Sequence, residues 1–143
     1  FMDTKLKGDI AEQAVLLFAL KKGWGVLTPV GDRLAYDLVL DINNKLVRIQ
    51  VKAAWFDSKA KNFVVDVRKT KTNRRIMRRD YYSNTDFDFA VVYIADDLFY
   101  VFPAEVFNSY GSEIHLVEAS RRQRKPKSVD YRNAWELILH WAA

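Results

Sequence analysis

The stretch LVRIQVKAAW, Leu46 to Trp55, places Arg48, Gln50 and Lys52 at intervals of two residues. In a β-strand successive side chains point to opposite faces, so these three project together, with Val47, Ile49, Val51 and Ala53 on the other side. A partner strand, AYDLVLDI, lies just upstream, separated by Asn43 and Asn44. Two asparagines in a two-residue loop tolerate positive φ and fit a tight hairpin. With that loop, Ile42 faces Lys45, and counting back sets Asp37 opposite Gln50 on the same face. Tyr36 then meets Val51, Leu38 meets Ile49 and Leu40 meets Val47, which leaves the second face apolar. Lys52 is diagonal to Asp37, about 7 to 8 Å away between backbones, so both side chains can reach one phosphate or one metal ion. Glu12 is a fourth candidate. At helical spacing its neighbours are Gly8, Val15, Leu16 and Ala19, so an acid occupies a position where the pattern calls for an apolar residue. An inward carboxylate needs a partner or a metal, because a bare buried charge is costly. Taken singly, the strand residues also fit a solvated sheet face and Glu12 a snorkelling side chain; their convergence in one register favours a site.

The elements that must position these residues follow from the pattern. A helix from about Thr4 to Lys22 is capped by Asp3 or Thr4 and stopped by Gly23, and its apolar positions go most of the way round. WGVLTP is a short strand, the two hairpin strands follow, and NFVVDV is a fourth. FDFAVVYIA and LFYVF form a second hairpin around Asp96 and Asp97, Pro103 opens the helical turn PAEVF, and EIHLV is a last edge strand. A terminal amphipathic helix is expected from near Asp130. Helix, mostly antiparallel sheet and helix together imply one α/β (α+β) sandwich.

Composition sets outer limits. A chain of 143 residues that is 50% hydrophobic supplies one core, and a single domain over residues 1–143 is expected. The net charge of +5 favours a polyanionic partner. The absence of cysteine excludes disulfides and thiolate zinc sites and is compatible with the cytoplasm. No signal peptide or membrane span is expected, since the longest apolar run, Ala14 to Leu20, is short. His115 and His140 stand alone, and no phosphate-binding glycine loop, Ser/His/Asp triad or zinc spacing occurs.

Glu12, Asp37 and Gln50-Val51-Lys52 resemble the PD-(D/E)xK nuclease superfamily, in which an acid on one strand is followed by acid-x-Lys on the next. GDRLAYDLVLDINNKLVRIQVKAAW with FDFAVVYIADDLFYVFPAEVF is more closely similar to its group I intron-encoded homing endonucleases, from about Lys7 to Phe107. Two departures stand out: Gln50 replaces the usual second acid, and Ala35-Tyr36 stands where a proline often precedes the first.

The resemblance implies a restriction-endonuclease-like core, a mixed central sheet flanked by helices, and Mg²⁺-dependent hydrolysis of DNA phosphodiesters to make a site-specific double-strand break. Glu12, Asp37, Gln50 and Lys52 would be catalytic. Glu12, Asp37 and the Val51 carbonyl would hold the ion, and Lys52 would orient or deprotonate the attacking water. Double-stranded DNA would be the partner. It would be contacted by Arg68, Lys69, Lys71, Arg74, Arg75, Arg78 and Arg79 in the run RKTKTNRRIMRR and by Arg121, Arg122 and Arg124 in RRQRKPK. Trp55, Phe56, Tyr81 and Tyr82 flank these basic segments, while Trp24, Phe87, Phe89, Tyr93, Phe99 and Phe102 are expected in the core. Cutting two strands requires at least a dimer, and the resemblance implies a tetramer. A junction-resolving nuclease on the same fold and a non-catalytic DNA-binding module with a degenerate site are the alternatives.

Overall fold

The computed structural model describes residues 3–72, 77–118 and 126–143, and the backbone alone at 70–72 and 77–79. Helix α1 spans Thr4–Lys21, and Asp3 caps it by accepting the Lys5 N–H at 2.9 Å. Gly23, at φ 79°, ends it, and the Trp24 N–H turns back to the Ala19 carbonyl at 3.0 Å. The buried face of α1 is Ala11, Val15 and Ala19, small side chains that let the helix lie close to the sheet. Leu6 and Leu17, each about half exposed, and Ile10 face outward.

After β1 (Gly25–Leu27), strands β2 (Leu38–Ile42) and β3 (Lys45–Ala53) form the expected hairpin. Asn43 and Asn44 take φ of 54° and 65°, and the pairs Leu38 with Ile49, Leu40 with Val47 and Ile42 with Lys45 reproduce the register read from the sequence. The chain continues through β4 (Trp55–Asp57), β5 (Asn62–Asp66), β6 (Lys69–Thr72) and β7 (Met77–Asp80) to β8 (Phe89–Ala95) and β9 (Leu98–Pro103). Helix α2 (Ala104–Ser109), β10 (Glu113–Leu116), a 3₁₀ turn (Lys127–Tyr131) and α3 (Glu136–Trp141) complete it. The main sheet runs β1-β2-β3-β8-β9, antiparallel except for the parallel pair β3 and β8. It is thus the mixed central sheet flanked by helices.

Parallel pairing buries a sheet on both faces, and the alternation along β8 shows it. Phe89 and Val91 join Leu40, Val47, Ile49 and the α1 residues in one cluster, while Ala90 and Val92 join Tyr100, Phe102, Phe107, Ile114 and Leu116 in the other. Phe87, Phe89, Phe99 and Phe102 are buried as expected; Trp24 and Tyr93 are only partly so.

Two expectations need correction. NFVVDV is not in the main sheet; as β5 it lies between β4 and β10 in a separate three-stranded sheet. The backbone of the basic run pairs β6 with β7 antiparallel. The terminal helix does not begin near Asp130. Asn133, at φ 48°, donates its N–H to the Phe99 carbonyl at 2.7 Å and accepts the Phe99 N–H on Oδ1 at 2.9 Å. That contact with β9 holds the chain out of helix until Glu136, and Glu118 strengthens it by accepting from both Arg132 and the Tyr100 hydroxyl. No helix among the described residues is long and apolar enough to cross a membrane.

Candidate active site

Asp37 sits one residue before β2, and its N–H extends the ladder by donating to the Ile49 carbonyl at 2.8 Å. Its Oδ2 accepts the Val51 N–H at 2.8 Å and the Gln50 Nε2 at 3.0 Å, and the same amide reaches the Val51 carbonyl at 3.3 Å. Gln50, only 9% exposed, therefore fixes Asp37 as a neutral neighbour. Odd-numbered residues of β3 face α1, so Gln50 and Lys52 face the other way. Asp37, at the strand end, is reached by both sides: Glu12 comes from α1 and hydrogen-bonds to it. Lys52 donates its Nζ to the Arg68 carbonyl at 2.9 Å and lies 5.1 Å from the centre of the Tyr82 ring. Glu12, Asp37, Gln50 and Lys52 are thus brought together.

Their electrostatics follow from this crowding. Burial first, and then the Asp37 carboxylate, push the Glu12 carboxyl from 4.5 up to about 7. Asp37 is also raised, by burial, although the Val51 amide, the Glu12 hydrogen bond and Lys52 all oppose the shift. Burial lowers Lys52 from 10.5 to about 8, against the pull of Asp66 and Asp37. Two acids that share a proton in a confined space offer hard oxygen donors to a divalent cation, which would displace that proton. Among the described residues no third acid or histidine joins them; the Gln50 amide and the Val51 carbonyl lie beside Asp37.

Arg48 departs from the expectation that it lines this face with Gln50 and Lys52. Its guanidinium turns to Asp88, with NH2 to Oδ1 at 3.1 Å, and to the Thr85 carbonyl at 2.9 Å. Asp88 also accepts the Arg48 N–H at 2.8 Å, so this arginine pins the segment leading into β8. Arg68 is bound to Asp66, Nε to Oδ1 at 3.2 Å, and Lys69 lies 5.8 Å from the Tyr82 ring centre. Arg74, Arg75, Arg121, Arg122 and Arg124 lie outside the described residues, as do the side chains of Lys71, Arg78 and Arg79. Trp55, Phe56 and Tyr81 are exposed, whereas Tyr82 is half-buried under Lys52. Asp66 and Tyr82 are the neighbours that sequence reasoning missed. The signal for Tyr82 was weak: the pair Tyr81-Tyr82 closing the basic run, with nothing to separate the exposed ring from the enclosed one.

The family model for PD-(D/E)XK endonucleases matches residues 2–138. Among solved structures, that of a bacterial homing endonuclease, I-Ssp6803I, is 60% identical over 98% of this chain and 95% of its own, with a TM-score of 0.91. The structure of MepB is 14% identical, covers 91% of each chain and has a TM-score of 0.48. A search of curated proteins found no match.

Proposed function

This chain belongs to the PD-(D/E)XK endonuclease family, and on that premise we propose that it is a Mg²⁺-dependent homing endonuclease whose site is Glu12, Asp37, Gln50 and Lys52. It acts as a site-specific DNA endonuclease. The observation that carries the reading is the Asp37 carboxylate, held by the Val51 amide and Gln50 with Glu12 against it.

Glu12, Asp37 and the Val51 carbonyl would hold Mg²⁺. The ion supplies Lewis acidity toward the phosphoryl oxygens and a template for the attacking water. Gln50 keeps Asp37 in place and contributes no charge, so the second negative charge comes from Glu12, on a different element. Lys52, at about 8, exchanges a proton readily near neutral pH and lies close enough to Asp37 to feel its charge. Its Nζ orients the nucleophilic water, accepts its proton or offsets the charge that develops on phosphorus. The basic hairpin beside Lys52 supplies phosphate contacts that hold the duplex across the site.

Each chain has one such site, so a double-strand break takes at least two chains, and a tetramer suits a long target. The outward apolar row Leu6, Ile10 and Leu17 on α1 supports such an assembly. The test is to incubate the protein with Mg²⁺ and a library of long duplexes and to sequence the ends, with a four-way junction as competitor and Asp37→Asn as control. Unique ends that vanish in Asp37→Asn are expected. Absence of cutting, or a junction preferred to every duplex, would overturn the reading.

A further inference from the structure

We propose that Tyr82 is a positioning residue for strand cleavage: its ring face is the platform that holds the Lys52 ammonium in its working orientation. The ring centre lies 5.1 Å from Lys52 Nζ and 5.8 Å from Lys69 Nζ, so two cations share one π system. Ammonium ions at this range are attracted by the negative face of an aromatic ring. A lysine has a long flexible stem, and the Arg68 carbonyl fixes only one of its N–H groups. The ring supplies a second restraint from a different direction.

The ring is itself held. Its edge-to-face partner is Phe87, with centroids 5.1 Å apart and planes at 81°, and Phe87 is fully buried. The segment between the two aromatics is closed by the Ser83 N–H to Asp86 Oδ2 at 2.8 Å and the Asp86 N–H to the Ser83 carbonyl at 3.0 Å. Arg48 anchors the same segment through Thr85 and Asp88. Burial, with Asp37, Asp66 and Asp86 nearby, raises the phenol above its ordinary value, so the ring stays neutral and its face remains available to cations. Arg48, which reaches no reacting group, thus acts on the site through the platform. Lys69 opens the basic strand β6, so the ring also ties the DNA-facing hairpin to the catalytic lysine.

This inference rests on the nuclease reading above, and its test separates the two. Single-turnover cleavage of the target duplex with Mg²⁺ is measured beside duplex affinity for Tyr82→Phe, Tyr82→Leu and a series in which position 82 carries phenylalanine with one, two and three ring fluorines. Fluorination keeps the volume and packing while progressively weakening the negative face of the ring, so the series stays informative if Tyr82→Leu fails to fold. Tyr82→Phe should cut within about 2-fold of wild type. Tyr82→Leu should lose about 3- to 30-fold in rate with little change in affinity, and the log rate should fall stepwise with fluorination. A flat fluorine series, a Tyr82→Phe variant as slow as Tyr82→Leu, or a loss confined to affinity would overturn the platform while leaving the nuclease reading intact. A wild-type protein that does not cut would overturn both.

Discussion

Glu12→Gln should stabilise the metal-free protein while it abolishes cutting. A carboxyl whose folded value exceeds its unfolded value weakens the fold as pH rises. The penalty is absent below the unfolded value of 4.5 and complete above the folded value of about 7. That interval corresponds to about 3.4 kcal/mol at full weight. Glu12 is only partly buried, and solvent screening reduces the figure to about 1 to 2 kcal/mol. Glutamine has nearly the same shape, carries no charge and can still donate to Asp37, so it removes the penalty without breaking the hydrogen bond. In buffer containing chelator at pH 8 the variant should melt about 3 to 8 °C above wild type, and at pH 4.5 the two should coincide. Adding Mg²⁺ should raise wild type and leave the variant nearly unmoved, because a ligand that binds the folded state stabilises it only where its site is intact. Thermal melts at the two pH values, with and without the ion, decide the matter. A gain of equal size at pH 4.5 and 8, or none at pH 8, would refute the reasoning that Glu12 is held in place at a cost in stability for the sake of the ion.

Other substitutions probe separate parts of the arrangement. Lys52→Ala should remove cleavage and spare duplex affinity, measured by single-turnover cutting beside binding titrations, because the side chain acts on the transition state. Gln50→Glu should fold and retain activity with a changed preference among divalent ions, read from rates with Mg²⁺, Mn²⁺ and Ca²⁺; loss of the fold would show that the neutral amide is required for packing. Lys69→Ala should flatten the slope of log affinity against log salt by about 0.9. Asp88→Ala should cost about 1 to 3 kcal/mol in urea melts, since it strips Arg48 of its main-chain and guanidinium acceptor together.

The first hairpin was legible because three independent signals agreed on it: the Asn43-Asn44 loop, the period-two alternation and an inner face that is apolar beyond Lys45 at the turn. The same register located Asp37, Gln50 and Lys52, and the misfit of an acid at helical spacing located Glu12. What escaped reading depends on contacts distant in sequence. NFVVDV alternates as any half-buried strand does, so nothing local says which sheet it joins. Arg48 has the parity of a site residue, and only the arrival of Asp88 turns it away. The delayed final helix is decided by Asn133 meeting Phe99, a pairing without a local signature.

The parallel pairing of β3 with β8 bears on how the molecule comes into being. The contact between Arg48 and Asp88 spans 40 residues, and every segment between them must be gathered before that ladder can close. Closing so large a loop is an entropic barrier met before the contacts that reward it form, and pairings of this kind are slow. Asp37, Gln50 and Lys52 are all in place once the first hairpin exists, but Tyr82, Phe87 and the second face of β3 are supplied only on the far side of that barrier. A chain during synthesis therefore carries Asp37, Gln50 and Lys52 before the residues that enclose Lys52 can join them, and the site is completed only when contacts distant in sequence close.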